Sequence, residues 1–184
     1  MLSKIIAHNS TTTELGSLSK ILSKKHAYGK LSVIINTAKG TFCIRKQVFD
    51  TTYYFTPLLL NPDTLEETKV GTRKFTIENN DFIAGLGGNY DFEIKSSYQN
   101  IGIGSLLFYL ALKTGISHGV KNYTIFFPKT RLIEQFGFGD IINDIKIKPK
   151  IGPYISATNI NLENIKKVIQ EKSISKNFSF IEFH

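Results

Sequence analysis

The 184-residue chain has no tryptophan, one cysteine, one methionine and five prolines. A single thiol, Cys43, excludes an internal disulfide framework and suits a reducing compartment. It stands in the alternation TFCIRK, where a small apolar side chain packs rather than reacts. No apolar run reaches the roughly 18–20 residues of a membrane helix. The opening MLSKIIAHNSTTTE turns polar too soon for the apolar core of a signal peptide. Together these predict a cytoplasmic protein, a host cytosol included. Four scattered histidines and one cysteine give no metal-ligand spacing. Acids are also scarce, 15 against 23 Lys and Arg, for a net charge of +8. The excess is uneven: residues 1–60 carry eight bases against two acids, 121–184 ten against six, and 61–120 five against seven. Such a surface repels a polycationic small substrate and favours anionic partners, phosphate-bearing cofactors and nucleic acid among them.

What is present patterns as one α+β domain with a mostly antiparallel sheet. Residues 11–28 carry Leu15, Leu18, Ile21 and Leu22 at helical spacing behind Thr and Ser caps. LSVIIN (31–36) and TFCIRKQV (41–48) read as strands around an Ala-Lys-Gly turn. YYFTPLLL (53–60) is a third, which Pro57 should split or confine to an edge. KFTIE (74–78) and FIAGL (82–86) predict a hairpin, and YDFEIKSS (90–97) a further strand. A helix follows from 104 to about Gly119, then an apolar strand at 122–128 and a short helix at TRLIEQF. Residues 145–151, 161–173 and 177–183 add a strand, a helix and a last strand.

One stretch breaks the local rules. YQNIGIGS (98–105) sets two glycines at the mouth of the helix LLFYLALK, where each costs roughly 1 kcal/mol relative to alanine. A strand, a glycine-rich turn and a helix start make an anion site, because the first helical N–H groups lack backbone partners and the dipole favours negative charge. The dinucleotide and P-loop fingerprints both fail, since position 107 is Leu and no Lys-Ser or Lys-Thr follows.

Gln99-Asn100-Ile101-Gly102-Ile103-Gly104 matches the Q/R-x-x-G-x-G/A signature of the GNAT superfamily of N-acetyltransferases. The surroundings agree: a strand, the signature, an amphipathic helix, the apolar strand TIFFP, a short helix and Gly137-Phe138. The resemblance covers roughly residues 72–140. It implies a GNAT-like fold, a mixed and mostly antiparallel twisted sheet flanked by helices, over a single domain of residues 1–184. Within it, 72–140 would form the acyl-CoA core, 1–70 a divergent acceptor side, and 141–184 the C-terminal strands and helix. It further implies acetyl-CoA, or another acyl-CoA, as donor to an amine of a protein or small molecule. Backbone amides from Gln99 through Asn100, Ile101, Gly102, Ile103 and Gly104 to Ser105 would hold the pyrophosphate. The strand near Phe92 to Ile94 would pair with the pantetheine arm, and that strand and 122–127 would splay into a slot.

Acyl transfer needs a deprotonated amine, oxyanion stabilisation and a proton for the thiolate. Glu93, on the strand entering the turn, is the candidate base; Asp91 shares its parity. The tyrosine that many members carry four residues before the Gly of Gly-Phe is Ile133 here, and Tyr123 is the substitute hydroxyl carried forward. His118 suits the helix C-terminus as a cation, and His26 in KKHAYGK a basic surface. Two alternatives stand beside this: a GNAT-type toxin that acetylates aminoacyl-tRNA, held by bases at 20–30 and 146–150, and a degenerate CoA-binding or protein-interaction module. A bacterial or phage effector is compatible with the unusual first third.

Overall fold

The computed structural model describes residues 20–22, 26–85, 91–126, 145–148, 152–157, 160, 163, 166–167, 169–171 and 179–183. Eleven strands form one sheet: β1 Lys30–Thr37, β2 Gly40–Phe49, β3 Thr52–Leu60, β4 Glu67–Lys69, β5 Gly71–Glu78, β6 Asp81–Ala84, β7 Phe92–Ile94, β8 Asn122–Phe126, β9 Ile145–Lys148, β10 Gly152–Ala157 and β11 Ser179–Glu182. Helix α1 is Ile103–Ser117. The strand order is β11-β1-β2-β3-β5-β6-β8-β10-β9, with β4 on β3 and β7 on β5. Every pairing is antiparallel except β6 with β8. The expected α+β class with a mostly antiparallel sheet is the observed one. No described helix is long and apolar enough to cross a membrane.

Strand alternation divides the core into two faces. Val33, Ile35, Phe42, Ile44, Phe55, Phe75 and Phe82 pack with α1 in the larger cluster. Ile34, Cys43, Leu58 and Leu60 turn to the opposite face, where Leu22 joins them. Helix α1 is buried from Leu106 through Leu112, the mark of a helix covered on more than one side. Ile169 belongs to the same cluster. Gly119 N–H to Ile116 O and Val120 N–H to Gly115 O close the helix at the expected place.

Three sequence expectations change. Strand β3 is neither split nor at an edge: it pairs with β2 from Thr52 to Leu59. Pro57 is tolerated because its carbonyl, and hence the side lacking an N–H, faces Val70 at the junction where β3 passes from β5 to β4. The strand after Gly87-Gly88 spans only Phe92–Ile94. GPYISA forms β10, a strand the sequence reading missed. TRLIEQF, Ile133 and Gly137-Phe138 lie outside the described residues.

Candidate functional site

The site begins with a break in the sheet. On one edge of β5, Phe75 opposes Ala84 of β6, and Glu78 opposes Asp81. Continuing that register would set residue 86 opposite Arg73; instead Arg73 opposes Phe92 of β7. The register along this edge of β5 therefore shifts by six residues between β6 and β7. Strand β8 follows β6 in parallel only from Asp81–Asn122 to Ala84–Ile125. Beyond it, β7 has β5 as its only strand partner among the described residues. The described part of β8 runs to Phe126, whose carbonyl lies against Gly85 just before the register shift.

From β7 the chain passes through a 3-10 turn, Ser96–Tyr98, into the signature. Tyr98 stacks edge-on against Phe42, with centroids 5.7 Å apart. Lys39 Nζ donates to Ser97 O, and Gln99 Nε2 donates to Ile94 O at 2.8 Å. The signature glutamine therefore folds the turn back onto the strand before it. Asn100 follows at φ 63°, a left-handed conformation that Asn tolerates better than most residues.

The two glycines have separate reasons. Gly102 is the N-cap of α1 with φ 94° and no side-chain cap, a backbone state that only glycine enters cheaply. A Cβ on Gly104 would lie 3.2 Å from Phe92 Cζ, so glycine there lets the first turn of α1 settle on β7. No acidic side chain occupies that first turn. The helix thus presents its N-terminus, with its favourable field for an anion, directly beyond the break. Gln99 and Asn100 are exposed, Ile101, Gly104 and Ser105 partly so, and Gly102 and Ile103 buried. The predicted turn residues are gathered in one place.

The candidate catalytic side chains are not gathered there. Phe92 and Ile94 pack against the α1 side of the core, so Glu93 between them stands exposed on the other face, opposite Thr72. Asp91 is buried, its carboxylate 3.5 Å from Lys74 Nζ. Tyr123 is 2% exposed, its hydroxyl close to where a Cβ on Gly115 would lie, near the far end of α1. Burial pushes that phenol up. His118 shares a hydrogen bond with Tyr53 Oη through Nε2 at 2.8 Å, while Nδ1 donates to Thr114 O at 2.8 Å. It is exposed, at the C-cap of α1. His26 likewise has a partner, Glu67 Oε2 at 3.2 Å.

The sequence reading passed over Arg73. Its side chain lies on the α1 face between its cross-strand neighbours Phe55 and Phe92, and it is 5% exposed. The guanidinium carbon sits 5.2 Å from the Phe92 ring and 5.4 Å from the Phe108 ring, within cation–π range. Nε and Nη2 are buried with no hydrogen-bond partner among the described residues. Burial lowers its pKa to about 10, against a raising influence from Asp91. The signal was available: in GTRKFTIE, Arg73 has the inward parity of Phe75.

No protein-family model and no curated protein sequence matches the chain. Its path is similar to those of several solved acetyltransferases. For the PaiA N-acetyltransferase of Thermoplasma acidophilum in complex with coenzyme A, identity is 12% over 59% of this chain and 62% of that one, with a TM-score of 0.40. For a GNAT-family acetyltransferase of Staphylococcus aureus it is 13% over 58% and 67%, with a TM-score of 0.39. For a cAMP-binding acyltransferase of Mycobacterium smegmatis it is 12% over 91% and 62%, with a TM-score of 0.46. The chain thus spans under two thirds of the length of the first and third. At these identities the likeness establishes no activity for this chain.

Proposed function

We propose that the chain is an acyl-CoA-dependent N-acyltransferase, with acetyl-CoA as donor and an amine of a protein or small molecule as acceptor. One observation carries this reading: the glycine signature Gln99 to Gly104 forms a helix start without a side-chain cap, directly after β7, which takes over from β6 on the edge of β5. Apart from Gln99, whose N–H donates to Ser96 O at 3.2 Å, the amides of the turn as far as Ser105 bind the pyrophosphate. Strand β7 offers its backbone to the pantetheine arm around Phe92 and Ile94. The thioester then lies toward the break, where backbone N–H groups face the developing oxyanion.

In this reading Glu93 takes the amine's proton, directly or through a water. The departing thiolate needs little help, since a free thiol has a pKa near 8.5. No proton is routed through Tyr123, whose hydroxyl lies against Gly115.

The test is calorimetric titration of acetyl-CoA into the wild type and into Ser105→Glu. A glutamate in the first turn favours the helix through its dipole and sets a carboxylate where the pyrophosphate is placed. Micromolar binding by the wild type with loss of at least tenfold in the variant supports the donor site. Absence of binding by a folded wild type refutes it. Thiol release on addition of amines then identifies the acceptor class.

A further inference from the structure

Two buried arginines in this sheet make an instructive pair. Arg45 is 2% exposed and has its carboxylate: Nε donates to Glu67 Oε2 at 2.8 Å and Nη2 to Glu67 Oε1. Those two nitrogens form one side of the planar guanidinium and grip a carboxylate with both oxygens. Arg73 is equally buried, and the same two nitrogens, Nε and Nη2, lack a partner among the described residues. Burying polar groups without hydrogen bonds is costly, and for a charge more so. Asp91 lies close enough to favour the charge, yet its carboxylate is directed to Lys74. The guanidinium carbon lies over the rings of Phe92 and Phe108, neither of which supplies a carboxylate or carbonyl to Nε and Nη2.

Position adds a second argument. Arg73 is the β5 residue at the register break, directly opposite Phe92. The ring of Phe92 reaches both the guanidinium and the Gly104 position at the start of α1. Phe92 is only partly buried, and of the two rings against Arg73 it is the more exposed, since Phe108 is buried. The opposed strand carries the pantetheine arm in the reading above, which sets Arg73 toward its acyl end, away from the pyrophosphate turn.

We propose that Arg73 binds a carboxylate carried by the substrate of this slot, through a two-point grip by Nε and Nη2. The carboxylate belongs either to the acyl group, as in a dicarboxylic acyl-CoA, or to the acceptor. The assignment to the acyl end rests on the acyl-CoA reading; the carboxylate grip does not.

The test uses the full chain as wild type, Arg73→Met and Arg73→Lys, each checked for a cooperative thermal transition. Acetyl-CoA, succinyl-CoA and succinate are titrated by calorimetry, succinate into both the free and the CoA-saturated protein. An acyl-borne carboxylate makes wild type bind succinyl-CoA roughly tenfold or more tighter than acetyl-CoA, in line with a charged hydrogen bond. An acceptor-borne one shows as succinate binding to the CoA-saturated protein. In either case Arg73→Met removes the carboxylate preference and keeps acetyl-CoA binding within about twofold. Arg73→Lys restores only part of it, because an ammonium lacks the fork, and it carries the comparison if the Met variant fails to fold. The proposal is overturned if wild type binds acetyl-CoA and shows neither preference, or if the preference survives in Arg73→Met. If no CoA thioester binds a folded wild type, the donor reading fails by itself. Succinate with the free protein then decides: binding that Arg73→Met abolishes upholds the grip, and no binding overturns it.

Discussion

Replacing Arg73 by methionine should make the protein more stable. The guanidinium is 5% exposed, and burial lowers its pKa from the ordinary arginine range to about 10. At ~1.4 kcal/mol per pH unit, that depression corresponds to roughly 3 kcal/mol of penalty on the charged form. The sign follows from linkage. Below pH 10 the arginine is protonated in both folded and unfolded chains, so the penalty is present in full at neutral pH. Between pH 10 and the unfolded value the unfolded chain binds more protons, and stability rises with pH as the penalty is relieved. Against it stand the contacts with the Phe92 and Phe108 rings, about 1–2 kcal/mol together. Methionine keeps the length and the apolar contact without the charge. The balance is a gain of about 1–2 kcal/mol, or roughly 2–8 °C in Tm for a domain of this size. Differential scanning calorimetry at pH 7 and pH 10.5 measures it, with the gap between variant and wild type narrowing at the higher pH. A variant that melts several degrees lower at pH 7 would show Arg73 to be a structural cation and refute the reasoning.

Three further outcomes follow from the same geometry. Glu67→Gln takes the charged partner from Arg45, itself 2% exposed, and should cost about 3–5 kcal/mol, read from urea unfolding; a loss under ~1 kcal/mol contradicts the buried pair. Glu93→Gln changes an exposed side chain, so Tm should hold while kcat falls roughly 10²–10⁴-fold with the KM for acetyl-CoA unmoved; an unchanged kcat removes Glu93 from the chemistry. Cys43, fully buried and with its pKa pushed up to about 12 by burial first and Glu67 second, should resist a thiol reagent at pH 8 in the native protein and react in urea; rapid native labelling contradicts its packing.

Much of the fold was legible because its signals are local. The β1–β2 and β5–β6 hairpins follow from apolar alternation around Ala-Lys-Gly and Asn-Asn-Asp, and Gly119 marks the end of α1. Strand β3 was misjudged because the consequence of Pro57 depends on which neighbour its nitrogen faces. That neighbour, Val70, is fixed only by long-range pairing. Strand β10 escaped because GPYISA begins with two residues that ordinarily mark a turn. The short β7 could not be foreseen either, since the six-residue register shift is a mismatch between two pairings on one strand.

The site divides along the same line. Glycines announce themselves, because a left-handed N-cap at Gly102 and the close approach of Gly104 to Phe92 can be met by few other residues. An arginine does not, because its sequence context says only which way it points. Arg45 and Arg73 both alternate inward with apolar neighbours, in TFCIRK and GTRKFTIE. What separates them is that β4 brings Glu67 into hydrogen bonds with one, while β7 and α1 bring the rings of Phe92 and Phe108 onto the other and Asp91 acts on it without a hydrogen bond to Nε or Nη2. A buried charge with its carboxylate is part of the frame. A buried charge against two aromatic rings, with Nε and Nη2 unpartnered among the described residues at the register shift of β5, is what the carboxylate proposal rests on.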